Sequence, residues 1–405
     1  MGTLNRVFVP LLIMALPIAA MLAYLTYYSY EKGRLPAAPQ LNEPTAFGGT
    51  EWPVFRSDSS LRGAAEGNLP DRLALAWRLE TEGAITSTPV AAAGTVFVGS
   101  MDGHLYAADL ATGHLRWRFE ADDAIQAAPL IADRTVYVGT ESGTVYAIDA
   151  EDGAEIWTFS ATGKILGSAN TFLDTQTGKR RIVVGSYDNY LYCLDARDGQ
   201  LIWKHQAGNY IHGAPAIADG AAIFGSCDGI LYIVPLDDPQ QTRTVDIEAY
   251  MASSPAVDQG IIYAGNYEGL FQAARMSDGQ VLWQFRQDRV PFVSSPAVTD
   301  AYVLFGARND TLYCLHRQTG APAWTFETTG RIDSSPVVCG DRVIVGSDNG
   351  RLYMLDLTDG REVFSYTAGQ PISGSAAIVD NTVLIGCQGG VLYAFREATP
   401  LNKTQ

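Results

Sequence analysis

The chain has 405 residues, of which 47% are apolar and 18% charged, with 40 glycines and a formal net charge of -16. So acidic a surface excludes a nucleic-acid role, because no basic patch could dominate it. The glycines and the apolar fraction point to many short strands joined by tight turns around a large core.

Residues 7–27 form an uncharged apolar run. As a helix it spans about 31 Å, the thickness of a bilayer's hydrocarbon core. A cleaved signal peptide is the alternative, but its apolar core is about 7–15 residues long and ends in a small-x-small site. This run is longer and leaves through Tyr24, Tyr27, Tyr28 and Tyr30, an arrangement suited to an interfacial aromatic belt. The sequence therefore predicts an uncleaved membrane anchor over residues 1–30. Arg6 on one side and Lys32 and Arg34 on the other leave its orientation open by charge alone. Pro36, Pro39 and Pro44 make residues 31–50 an extended tether.

From residue 51 onward one landmark recurs, a hydrophobic strand ending in glycine, then a turn, then Leu-Tyr or a close variant. The glycines are Gly99, Gly139, Gly185, Gly225, Gly265, Gly306, Gly346 and Gly386, spaced by 40 or 41 residues with one interval of 46. Each unit reads as four β segments. The first carries Ser-Ser-Pro or a variant, as at Ser253-Ser254-Pro255, and starts near Ile85, Ile125, Ile165, Ile211, Met251, Phe292, Ile332 and Ile372. The second is a β-branched or aromatic run such as Thr95–Gly99. An Asp-Gly or Asn-Gly turn follows, as at Asp102-Gly103 and Asn349-Gly350, a strong hairpin signal. The third contains Leu-Tyr-Ala-x-Asp. The fourth ends in Trp117, Trp157, Trp203, Trp283 or Trp324, with Phe364 in the seventh unit.

Four strands per 40 residues, repeated eight times, predict an all-β, eight-bladed β-propeller over residues 51–397 with a short tail over 398–405. The eighth unit lacks its tryptophan strand, and a surplus one, Leu73 to Leu79 with Trp77, precedes the first unit. The N-terminal strand is therefore expected to complete the last blade, leaving no open sheet edge there.

The segment Ala-x-Asp-x-x-Thr-Gly-x-x-x-Trp stands nearly complete at 107–117, 147–157 and 193–203, and Trp52-Pro53-Val54-Phe55-Arg56 leads in. In these features the chain resembles the pyrroloquinoline-quinone (PQQ) repeat family. The resemblance covers about residues 51–397 and implies the propeller fold. It admits two functional classes. One is the quinoprotein dehydrogenases, which bind PQQ and calcium at the channel mouth and in many cases carry an adjacent Cys-Cys pair. The other is non-catalytic propellers of the BamB type, whose compact blades match this length. No adjacent cysteines and no long inter-blade insertions are present here. The resemblance thus implies a protein-interaction scaffold in an envelope complex with no PQQ or calcium. A PQQ-dependent dehydrogenase or PQQ-binding sensor at the channel mouth is the alternative. An envelope or membrane protein is the expected partner, and the expected location is the inner membrane with the propeller facing the periplasm.

Period decides which residues can carry function. Trp77, Trp117, Trp157, Trp203, Trp283 and Trp324 recur with the blade and are expected to pack at blade junctions. Asp109, Asp149, Asp195 and Asp356 recur too, and are expected to hold turns rather than calcium. The five cysteines form no metal or haem spacing and read as small buried hydrophobes. Departures from the repeat are more telling. Gln126, Lys164, His212, Arg331 and Asp333 fall where the innermost strands approach one channel mouth, and are expected to form a small polar cluster there. Lys179, Arg180 and Arg181, in a six-residue insertion of the third unit, form the one basic cluster and a candidate partner-binding site. In the fourth unit Pro235-Leu236-Asp237-Asp238-Pro239 replaces the usual turn and no tryptophan follows, which predicts a loosened outer strand.

Overall fold

The structure is a computed structural model that describes residues 51–398. The expected anchor, the tether and nearly all of the short tail lie outside these residues. Among the described residues no helix is long and apolar enough to cross a membrane.

Residues 73–397 form eight antiparallel blades of four strands each. In blade 1 these are Val90–Ala92, Thr95–Gly99, His104–Asp109 and Leu115–Glu120, paired in that order from the inside outward. Blade 8 is assembled from both ends of the sequence. Ala377–Val379, Thr382–Cys387 and Val391–Glu397 come from the C-terminal end, and Leu73–Glu80 forms the outermost strand. Its register runs antiparallel from Leu73 opposite Glu397 to Glu80 opposite Val391. Innermost strands of blades 1 and 8 are neighbours, so the ring is shut.

The innermost strands proper begin after the proline of Ser-Ser-Pro, about five residues later than the sequence pattern suggests. The reason is that the serines bond between blades rather than along a ladder. The Ala214 N–H donates to Ser254 Oγ at 2.8 Å, Ser254 N–H to Ser295 Oγ at 3.0 Å, and Ser295 N–H to Ser335 Oγ at 2.9 Å. Ser335 N–H continues to Ser375 Oγ at 3.0 Å, and Ser375 N–H closes on Thr88 Oγ1 at 3.2 Å. The repeated hydroxyl is thus an inter-blade latch that satisfies buried backbone donors.

The landmark glycine has an equally local cause. A β-carbon at Gly99 would overlap Ile125, and one at Gly386 would overlap Ile85. Each glycine leaves room for the buried apolar side chain that leads into the following blade. Further out, indole N–H groups join neighbouring blades. Trp77 donates to the Leu110 carbonyl at 2.9 Å, Trp157 to Ala196 at 3.0 Å, Trp283 to Arg317 at 2.8 Å and Trp324 to Leu357 at 2.9 Å. Trp117 reaches the Ala150 carbonyl at 3.3 Å, whereas Trp203 packs in the core between blades 3 and 4. The recurring aspartates hold turns: Asp109 accepts from the Thr112 N–H at 2.9 Å, and Asp149 from Glu151 at 2.7 Å.

Seven of the eight outermost strands carry a β-bulge beside the tryptophan position, which blunts an edge that could otherwise pair with another chain. Blade 4 is the exception. Its outermost strand, Arg243–Asp246, is four residues long and pairs without a register shift. Val245 lies against Gly279, the place a tryptophan ring takes in other blades.

Residues 52–65 form a strap across one end of the ring. Trp52 exchanges two 2.9 Å backbone bonds with Ala91 of blade 1, and the Pro53 carbonyl accepts from Ile131 of blade 2 at 2.7 Å. The Ser59 carbonyl accepts from Asn170 Nδ2 of blade 3 and Ile217 N–H of blade 4, both at 2.7 Å. Ser60, Arg62 and Gly63 carbonyls then accept from Val257, Val298 and Val338 of blades 5, 6 and 7 at 2.8–2.9 Å. Ala64–Ala65 finishes as a parallel strand on blade 7. Arg56 within this strap is buried, and burial pushes its guanidinium down to about 9.

Candidate functional site at the channel mouth

A cavity of about 160 Å³ runs along the channel axis, lined by residues from all eight blades and including Phe55 of the strap. Phe55 is the strap's contribution to the cavity wall. Gln126, His212 and Asp333 contribute to its lining, as the sequence pattern implies, together with the small side chains of the Ser-Ser-Pro segments.

The five expected mouth residues do not form one cluster. A second ring of side chains, two residues beyond each landmark glycine, separates them. Its backbone N–H groups donate to the carbonyls of the first ring, as from Glu141 to Ala124 at 3.0 Å and from Asp348 to Arg331 at 2.9 Å. Glu141 from this ring takes both Gln126 and Lys164. Tyr187 takes His212, through its hydroxyl and Nδ1. Arg308 takes Asp333 in a bidentate pair at 2.9 and 2.7 Å and also donates to the Tyr267 hydroxyl at 2.9 Å. Arg331 stays exposed, within electrostatic reach of Asp348.

These contacts set the local acid–base character. Burial, with Arg308 nearby, holds His212 below its usual range, so the imidazole is neutral. Hydrogen bonding to Asp333 raises Arg308 further. Burial and the neighbouring Asp333 push Asp348 up, and its Oδ1 is buried without a hydrogen-bond partner. Sequence reasoning passed over Glu141, Tyr187, Tyr267, Arg308 and Asp348. The available signal was that the second position after the landmark glycine varies from blade to blade, with only tyrosine occurring twice, where the fold demands nothing in particular.

The mouth also presents aromatic surface. Tyr187 and Tyr210 stack with centroids 4.9 Å apart and planes 4° apart, and Tyr250 and Tyr267 stack at 4.4 Å and 24°. Tyr210 and Tyr250 are the only tyrosine, tryptophan or phenylalanine side chains that are exposed among the described residues.

The basic insertion is not an open patch. Arg181 is buried between Asp174 at 3.0 Å and Asp195 at 2.6 Å, and Arg180 bonds Asp133 at 2.6 Å. Only Lys179 is largely exposed. The guanidinium groups fold back because the acidic turn around them neutralises their charge. Cys193, Cys314, Cys339 and Cys387 are buried free thiols, and Cys227 at the mouth is half-buried. Burial pushes Cys193 and Cys314 up to about 12 and Cys339 to about 11, which leaves them inert.

PQQ with calcium needs a roomy slot and several free oxygen ligands. Here the mouth carboxylates Glu141 and Asp333 are consumed by cations of neighbouring blades. No group of three or more His, Cys, Asp or Glu among the described residues could hold a metal. The residues present do not fit the cofactor.

A family model described as outer membrane protein assembly factor BamB matches residues 71–285 and 270–399. The chain belongs to this family. No curated protein sequence matches it. Among solved structures, BamB from Moraxella catarrhalis is similar at 18% identity, covering 82% of this chain and 99% of that one with a TM-score of 0.68. The quinohemoprotein alcohol dehydrogenase from Comamonas testosteroni is 14% identical over 88% of this chain and 82% of its own, with a TM-score of 0.74. A europium-containing methanol dehydrogenase is 12% identical over 86% and 98%, with a TM-score of 0.71. At such identities these likenesses concern the fold: a BamB protein and PQQ-repeat enzymes share the ring, and the mouth residues must separate them.

Proposed function

We propose that the chain is a non-catalytic interaction propeller of an envelope complex. In this reading residues 7–27 hold it in the inner membrane and the propeller faces the periplasm. The observation that carries it is the state of the mouth. Two of its acids are held in cross-blade pairs, Glu141 with Lys164 and Asp333 with Arg308, and Phe55 of the strap forms part of the channel wall. Such pairs fix the shape of a surface and withdraw those two carboxylates from service as a general base. Membership of the BamB family supports the same reading.

Two measurements test it. The full chain, tagged and purified from native membranes, should retain an envelope protein at constant stoichiometry, and a chain lacking residues 1–30 should be released from the membrane fraction. Purified protein incubated with PQQ and calcium should show no retained cofactor absorbance and no dye-linked oxidation of alcohols or sugars. Stoichiometric PQQ with turnover would overturn the proposal.

A further inference from the structure

The mouth is polarised around its circumference. Segments 207–212, 226–229, 247–252 and 266–269, which form it in blades 4 and 5, contain no lysine or arginine but do contain Asp228, Glu248 and Glu268. Asp228 and Glu268 are exposed and take part in no ion pair. Arg308 of blade 6 borders this arc, bonded to the Tyr267 hydroxyl and paired with Asp333, Glu248 is paired with Arg286, and Arg331 lies further round, leading into blade 7. Within the acidic arc stand the two exposed tyrosines, 48% exposed for Tyr210 and 36% for Tyr250. Each is braced from behind by a second ring, Tyr187 or Tyr267. Cys227 lies between the two stacks, with its N–H on the Tyr210 carbonyl at 2.9 Å and its thiol within electrostatic reach of Tyr187 and Tyr250.

We propose that this arc of blades 4 and 5 is a docking surface for a basic segment of a partner protein, with a lysine or arginine side chain seated against Tyr210 and Tyr250. The proposal deepens the scaffold reading and rests on it. Three features fit a cation. Electron-rich ring faces attract a positive charge, the surrounding carboxylates add to that attraction and exclude anions, and bracing fixes the rings before binding, so little side-chain freedom is lost. The chain already makes such a contact internally, where Lys204 Nζ sits 4.0 Å over the Tyr190 ring. The protein's overall negative charge would steer a basic partner toward it.

The test uses the full chain in detergent micelles and a fluorescently labelled hexalysine peptide, followed by anisotropy. Saturable binding is expected. It should weaken roughly five-fold or more in the Tyr210→Ser/Tyr250→Ser double variant, the loss of two exposed cation–π contacts. Glu268→Lys should weaken it as well. Asp71→Asn, which removes an acid on the outer face of the ring, should leave it unchanged. Both tyrosines are exposed, and thermal melting would verify that the variants fold. Equal binding by wild type and the double variant, or equal loss in Asp71→Asn, would mean non-specific attraction to an acidic protein and would overturn the proposal. So would a concentration-dependent dimer abolished by the double variant, because the occupant would then be a second copy of this chain. If the peptide binds through the tyrosines while no envelope protein co-purifies, the scaffold reading fails and the surface stands.

Discussion

Gly386 and Ile85 come from opposite ends of the propeller sequence, yet no β-carbon could be placed on Gly386 without overlapping Cγ2 of Ile85. The same relationship joins each landmark glycine to the residue that leads into the following blade, and at this junction it joins the last blade to the first. Gly386→Ala should therefore loosen the closure itself, at a cost of about 1–3 kcal/mol from overpacking. Ile85→Ala removes the overlapping Cγ2 and should therefore cost less on the Gly386→Ala background than it does alone. Denaturant midpoints of the two single variants and the double variant would check it, and strict additivity would contradict the contact.

Tryptophans of equal standing in the sequence should differ in weight. Trp324→Phe removes the indole bond to the Leu357 carbonyl and leaves that carbonyl without this donor, costing about 1–2 kcal/mol. Trp203 packs without such a bond, so Trp203→Phe should cost less than about half of that. Paired thermal melts would rank the two.

His212 gives stability a pH dependence of known sign. Its folded value is depressed below the ordinary histidine range, so the unfolded chain binds the proton more readily. Stability from this group is present above the unfolded value, about 6.5, and falls as pH drops through it toward the folded value. His212→Asn should melt with a smaller difference between pH 7.5 and pH 5 than wild type. An identical slope would refute the burial of a neutral imidazole.

Asp348 should behave in the opposite sense. Burial raises its carboxyl, so the folded state favours the protonated form and its contribution is lost as pH rises past the ordinary carboxylate value. Asp348→Asn should raise the melting temperature at pH 7 and change it less at pH 4.

Thiol chemistry should distinguish one cysteine from four. In the native protein a bulky aromatic disulfide reagent should modify Cys227 alone, and all five thiols after denaturation. Rapid native reaction of a second thiol would show that a blade core opens readily.

The ring was legible because its causes are local and repeated. Glycine before Leu-Tyr, Asp-Gly turns and one tryptophan per unit each announce a contact that recurs in blade after blade, and the surplus Trp77 strand announced the closure. The mouth was legible only in part. Gln126, His212 and Asp333 could be placed by counting from Ile125, Ile211 and Ile332, since all occupy one position of the repeat, just ahead of an innermost strand. Their partners could not, because Glu141, Tyr187 and Arg308 arrive from hairpin tips of a different sequence position, and ion pairs between blades have no period. The basic insertion misled for a related reason: Arg181 reads as surface charge until Asp174 and Asp195 are seen to enclose it.

The strap across the floor has one more implication. Its carbonyls meet the blades in chain order, Trp52 at the first, Pro53 at the second, Ser59 at the third and fourth, Ser60, Arg62 and Gly63 at the fifth, sixth and seventh. A chain with one unit deleted or duplicated could still stack its sheets, but it would meet this segment out of step. Residues 52–65 therefore act as a ruler, written at the start of the propeller, whose marks match the first seven of its eight blades in order.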